Sequence, residues 1–270
     1  MTTIDWLKRA EHQSGGIAAW QDEGGGYHHS YPEVTGYLIP TLLREGEAEL
    51  AKRCGDWLVS IQRPDGSWPG LDGRASRSFD TAAIVEGLLA LGDYQEQTDK
   101  AIRWLLTQIR PDGTLSVVPG VDDTHIYTMR ATWIMGHIDG VEAWLPDLPW
   151  DIKRWGERQR PHYIAYALEG LWHMGAEEQV VEVLMEVRRH HRGLLPFWFK
   201  NAWVPAGGTC VCATAQFAYL YALAGLNTAE EIEAVRQYVA DDGGVYHGHE
   251  DRRKTSWAAK YWLDALDAVG

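Results

Sequence analysis

QRPDGSW, residues 62–68, returns almost intact as QIRPDGT at residues 108–114, and this repetition decides the fold. Looser copies stand at 13–20 (QSGGIAAW), 191–198 (HRGLLPFW) and 241–246 (DDGGVY). A phrase recurring through a chain marks an architecture built from one repeated supersecondary unit. Each copy follows a segment of helical period, with charged residues on one face and Leu, Ile, Val and Trp on the other: IDWLKRAEH, AELAKRCGDWLVSI, DKAIRWLLTQI, EEQVVEVLMEVRRHH and TAEEIEAVRQYV. That is the pattern of a surface helix with one apolar stripe. The glycine of the phrase then ends the helix.

After each phrase comes a polar loop and a second helix of different character: SYPEVTGYLIPTLL, SFDTAAIVEGLLAL, THIYTMRATWIMG, RPHYIAYALEGLWHMG, CATAQFAYLYALAG and KTSWAAKYWLDALDAVG. These segments are apolar nearly all round and rich in Ala and Gly, so they are expected to be buried and closely packed. They begin near residues 31, 78, 124, 161, 212 and 255. The outer segment GVEAWLPDLPWDIKRWGE carries Pro146 and Pro149 and is expected to be short or broken. The sequence therefore predicts an all-α chain of six helical hairpins, a single α/α toroid domain over residues 1–270. Closure is favoured over an open solenoid because the inner helices are too apolar to line an exposed groove. The Gln, Gly and Trp of each phrase are expected to clasp an outer helix to its neighbour.

Bulk composition excludes several functions. Net charge is −13, which argues against nucleic-acid binding. No apolar run reaches the roughly 20 residues that span a bilayer, and the N-terminus lacks an apolar leader, so a cytoplasmic chain is expected. The three cysteines (Cys54, Cys210 and Cys212) are too sparse for a disulfide framework. Fourteen Trp and twelve Tyr stand against four Phe. Trp and Tyr combine a flat apolar face with a polar handle.

QRPDGSW resembles the repeat motif of the squalene–hopene cyclase and protein prenyltransferase group, whose domains are α/α toroids. SYPEVTGYLIPTLL together with KTSWAAKYWLDAL resembles toroid proteins of bacterial polysaccharide gene clusters, which implies a glycan context. The terpene-cyclase resemblance would make Asp122 in Gly120-Val121-Asp122-Asp123-Thr124 an alkene-protonating acid. Gly120 replaces the first Asp of that family's motif, and the second helical domain usual in such cyclases is not expected in residues 1–270. The prenyltransferase resemblance would put zinc on Asp123-x-His125 or Cys210-x-Cys212. A Cys-x-Cys pair is a weak zinc signal, so no metal or other cofactor is expected.

In such a toroid the N-termini of the inner helices and the loops before them are expected to gather at one mouth, where the positive helix dipoles favour anions. Candidate catalytic residues there are Glu33, Asp80, Asp122, Asp123, His125 and Tyr163. Candidate substrate-binding residues are Tyr27, His28, Trp68, Arg77, Arg130, His162, Trp198, Lys200, Trp203, His247, Arg252 and Trp257. Helix capping is the plain alternative for Glu33 and Asp80. A ladder pairing Arg130 with Glu86 or Glu169 is the plain account of the charges deeper on the inner helices. Glu33, Asp80 and Tyr163 align at equivalent positions.

Acid is concentrated in the outer segments, and Arg in the loops before the inner helices. A basic, aromatic-rich entrance suits an anionic glycan, because rings stack on sugars and Arg pairs with carboxylates. The sequence therefore points to an acid–base enzyme on an oligo- or polysaccharide, with uronate as a constituent. Hydrolysis would use two carboxylates. Elimination or epimerisation would use Tyr163, His125 or His162 as base. The alternatives are a terpenoid or prenyl enzyme using Asp122, and a non-catalytic glycan-binding module.

Overall fold

The computed structural model describes residues 1–110, 115–119, 159–200 and 203–270. These residues group into two compact units. One holds residues Lys8–Ala19 and 28–119; the other holds Met1–Leu7, Trp20–Tyr27 and 159–270.

In the first unit an inner–outer alternation is plain. The helix α1 (Thr3–Arg9) leads into it. Helix α2 (Pro32–Arg44) and helix α4 (Ser78–Leu91) are buried along most of their length, whereas α3 (Ala48–Ser60) and α5 (Gln95–Leu106) bury one face. Helices α2 and α4 pack directly on each other. Two glycines permit this: a Cβ on Gly87 would lie 2.2 Å from the Gly36 carbonyl oxygen, and one on Gly36 would lie 2.6 Å from the Ile84 Cα.

The second unit repeats the scheme with inner helices α6 (Pro161–His173), α8 (Val211–Leu223) and α10 (Ser256–Val269), and outer helices α7 (Glu177–His190) and α9 (Ala229–Arg236). Outer helix α7 buries Val180, Val183, Leu184 and Val187, a stripe at helical spacing. The predicted inner-helix starts at 31, 78, 161, 212 and 255 agree with these helices to within a residue. The start near 124 and the outer segment with Pro146 and Pro149 lie outside the described residues.

The chain is not wholly helical. PFWFKNAWVPAGG, where a polar loop is expected before the inner helix that starts near 212, contains an antiparallel pair of β2 (Pro196–Lys200) and β3 (Val204–Thr209), with Trp198 opposite Ala206 and Lys200 opposite Val204. Phe-Trp-Phe is a run of strong strand formers, and local propensity prevails there. A short ladder pairs β1 (Trp20–Gln21) with β4 (Lys254–Thr255). Among the described residues no helix is long and apolar enough to cross a membrane.

The repeated phrase is a clasp. After α3, Gly66 takes φ +96°, and the Gln62 side chain donates to the Gly66 and Gln97 carbonyls at 3.0 and 2.9 Å, reaching the next outer helix, α5. The Trp68 indole N–H turns back to the Leu58 carbonyl at 2.7 Å. A second tie runs to the inner helices. The hydroxyls of Thr35, Thr81 and Thr214, each the fourth residue of its helix, accept backbone N–H groups from Ile17, Trp68 and Leu195 of three phrase copies.

Candidate active site

In the first unit, the ends of α2 and α4 bring three polar side chains together in apolar surroundings. Tyr31 precedes Pro32 at the start of α2, and Glu33 follows it; Asp80 is the third residue of α4. The Tyr31 hydroxyl hydrogen-bonds the Glu33 carboxylate and lies 3.4 Å from Asp80 Oδ2. Glu33 and Asp80 are 8% and 2% exposed, so two acids share a nearly dry site. Arg77 is the nearby cation, and Gly70 leaves room beside both: a Cβ there would be 3.3 Å from Asp80 Oδ2 and 3.6 Å from the Arg77 Nε.

Capping does not account for the pair. The N-cap positions are Tyr31 and Arg77, and neither side chain caps its helix. Of the three residues aligned above, Asp80 and Tyr163 are each the third of their helices, whereas Glu33 is the second of α2, so Glu33 and Asp80 differ in register and meet by packing.

Burial pushes the Asp80 carboxyl up to about 7, against the opposing pull of Arg77 and of hydrogen bonds from Tyr31 and Glu33. A helix N-terminus would lower it, but that effect reaches at most about 2 kcal/mol, less than full desolvation of a carboxylate. Burial and the two carboxylates raise the Tyr31 phenol well above its ordinary value, so it remains a donor. The arrangement lets Asp80 keep its proton to near neutrality beside a second buried carboxyl group, the state of a general acid.

In the second unit, the start of α6 carries His162 and Tyr163. His162 Nδ1 lies 2.6 Å from Gln216 Oε1 and 3.5 Å from Cys212 Sγ, both on α8. With the amide oxygen facing it, Nδ1 bears the proton and Nε2 is the basic nitrogen. Deeper down, Glu169 accepts from the Tyr261 hydroxyl at 3.1 Å and faces Lys260 at 3.9 Å, while Lys260 pairs with Asp264 at 2.5 Å. Lys260 is thus a partner of Glu169 that the sequence reading missed. Its expected partner Arg130 lies outside the described residues, as do Asp122, Asp123 and His125.

The expected substrate-facing aromatics divide into two groups. Trp68 is fully buried in the clasp, and Trp203, at φ +69°, is buried against Phe199, with ring centroids 5.0 Å apart. Neither presents a face to a ligand; both belong to the framework. Trp198 and Trp257 are half-buried. Trp257 stands edge-on to Trp20 at 6.3 Å and to His247 at 6.0 Å. Tyr27 packs against Trp6, His28 against His29, and Arg252 covers Tyr246 at 3.7 Å; Lys200 is exposed on β2.

Among the described residues no group of three or more His, Cys, Asp or Glu is placed to hold a metal. Cys210 is a buried thiol that desolvation pushes up to about 11.

No protein-family model matches the chain. A curated relative, the copalyl diphosphate synthase of Streptomyces anulatus, is 30% identical over 108 residues; the match spans 39% of this chain but only 18% of that protein's length. Among solved structures, an α-amylase from Clostridium perfringens superposes with TM-score 0.74 at 13% identity, covering 100% of this chain and 97% of that one. A type II terpene cyclase from Scytonema, in complex with merosterolic acid A, gives 0.70 at 14% identity, covering 99% and 94%. A glycosidase gives 0.60 at 12% identity, covering 99% and 95%. The fold is therefore the α/α toroid that these structures share.

Proposed function

We propose that residues 1–270 form one catalytic domain that cleaves glycosidic bonds by acid–base chemistry, with Asp80 as the general acid. The observation carrying this reading is a buried Asp80 that keeps its proton to about pH 7 while sharing Tyr31 with Glu33. An acid with a pKa near the working pH suits protonation of a glycosidic oxygen. It is too weak to suit protonation of an alkene. Glu33 is too close to Asp80 to act as the opposing nucleophile, since both carboxyls reach one hydroxyl; it serves to hold Tyr31. The amylase and glycosidase among the structural relatives support a carbohydrate substrate.

The test is mass analysis after incubation with neutral and uronate-containing oligosaccharides, beside a geranylgeranyl substrate. Shortened oligosaccharides are expected, and Asp80→Asn lowers their formation by about 10²–10⁴-fold while ligand binding persists. Ultraviolet absorbance from a new double bond would assign the cleavage to elimination instead of hydrolysis. No glycan product from the native chain would refute the proposal.

The cyclase reading keeps a specific support, the match to copalyl diphosphate synthase and the likeness to a one-toroid terpene cyclase. On that reading a cyclised isoprenoid forms, and it disappears in Asp122→Asn rather than in Asp80→Asn.

A further inference from the structure

We propose that Arg160, in the second unit, reads the carboxylate of an acidic sugar, with the rings around it forming the stacking faces and His247 at its flank. This deepens the glycan reading above and rests on it for the choice of sugar. The guanidinium carbon of Arg160 lies 4.4 Å from the Trp198 ring centroid, 5.0 Å from Phe197 and 5.4 Å from Tyr163. His247 joins the same group, 5.6 Å from Phe197 and 6.0 Å from Trp257.

What singles out Arg160 is that no carboxylate pairs with it among the described residues. Other shielded cations of this unit are paired: Arg188 with Glu231 at 3.2 Å, Lys254 with Asp242 at 2.7 Å and Lys260 with Asp264 at 2.5 Å. Arg160 has no carboxylate partner among the described residues, and its Nε is shielded from water without an acceptor. His247 Nδ1 is shielded and unpartnered in the same way. An unmatched guanidinium and an unmatched imidazole nitrogen are costly to desolvate. They become favourable when a ligand brings acceptor oxygens. A planar guanidinium fits a carboxylate through two parallel N–H donors. The rings beside it are only half-buried and offer faces for a pyranose. Burial holds His247 below its ordinary value, so near pH 7 it is neutral and adds no second charge.

The experiment measures tri-galacturonate against the neutral galactose trimer by calorimetry and tryptophan fluorescence, with Arg160 in place and with Arg160→Gln and Arg160→Lys. It is done in the Asp80→Asn background so that the ligand is not consumed. The acidic trimer is expected to bind at least about tenfold more tightly than the neutral one. Arg160→Gln brings the ratio to about one while leaving the neutral affinity in place, and Arg160→Lys keeps a partial preference because charge remains without the planar fork. Unchanged melting and near-ultraviolet dichroism certify the fold of each variant. An unchanged ratio in Arg160→Gln overturns the assignment. So does inorganic phosphate that displaces the acidic trimer as well as free galacturonate does, because the site would then be a phosphate site. An acid preference that depends on Arg160 in a protein that cuts no glycan leaves this inference standing and removes the proposed function. Glycan cleavage with no acid preference does the reverse.

Discussion

At the scale of single residues, the proposed chemistry depends on a carboxyl forced to keep its proton. Asp80 has a folded value of about 7 against 3.8 in an unfolded chain. A raised carboxyl contributes stability that is fully present below the unfolded value and is lost as pH rises through the folded one. About three units at roughly 1.4 kcal/mol each amounts to about 4 kcal/mol lost between pH 4 and pH 7. Asp80→Asn removes the ionisation while keeping a similar shape. It is expected to melt higher than the native chain at pH 8 and to lose most of this pH dependence in thermal scans. Parallel melting curves for the two proteins across that range would refute the burial account. Activity has the complementary dependence: it falls as pH rises through the Asp80 value. Tyr31→Phe deletes a hydrogen bond that lowers that value, so the alkaline limb of the rate profile shifts to higher pH, whereas a purely structural Tyr31 would change rates without moving the limb. The sequence named Glu33 and Asp80 because acids at the start of apolar helices stand out. It did not single out Tyr31 as their bridge or Arg160 as unpaired. Those facts depend on which side chains packing brings within reach across helices.

At the scale of elements, the repeat was readable because one constraint recurs. The glycine must turn left-handed and sit against another backbone. A Cβ on Gly66 would stand 2.4 Å from the Lys100 carbonyl oxygen, in α5, with φ already at +96°. Gly66→Ala therefore meets both strain and a backbone clash, and a loss of about 2–4 kcal/mol is expected in urea unfolding. Gln62→Ala, which breaks two ties without a clash, is expected to cost about 1–3 kcal/mol. If Gln62→Ala were as damaging as Gly66→Ala, the clasp rather than the close approach would dominate. The threonines at the fourth position of α2, α4 and α8 carry the same logic onto the inner layer, and their recurrence was open to reading beside each phrase. The β2–β3 hairpin was not. Its aromatic run fits a strand and a ligand-facing loop equally well until Pro196–Lys200 is seen paired with Val204–Thr209.

At the scale of the whole molecule, the last phrase reaches back to the start of the chain within the second unit. Gly243 sits at φ +88°, where a Cβ would lie 2.0 Å from the Thr2 carbonyl oxygen, and a Cβ on Gly244 would lie 2.7 Å from the Trp6 indole nitrogen. Trp6 is fully buried, with its N–H on Gln21 Oε1 at 3.2 Å. The phrase that docks Gly66 on α5 thus docks Gly243 on α1, and the N-terminal residues act as a repeat partner instead of a tail. Trp6→Ala is expected to cost about 3–5 kcal/mol, lowering Tm by roughly 10 °C for a chain of this size. Amide exchange distinguishes this contact from simple loss of a core ring. Ala240 donates to the Gly244 carbonyl at 2.8 Å, and Tyr246 to the Tyr238 carbonyl at 3.0 Å. When their support at Thr2–Trp6 goes, these two amides lose protection ahead of α9 and α10. If 239–246 kept its protection in Trp6→Ala, the last phrase would be stable by itself and the contact would carry none of its stability.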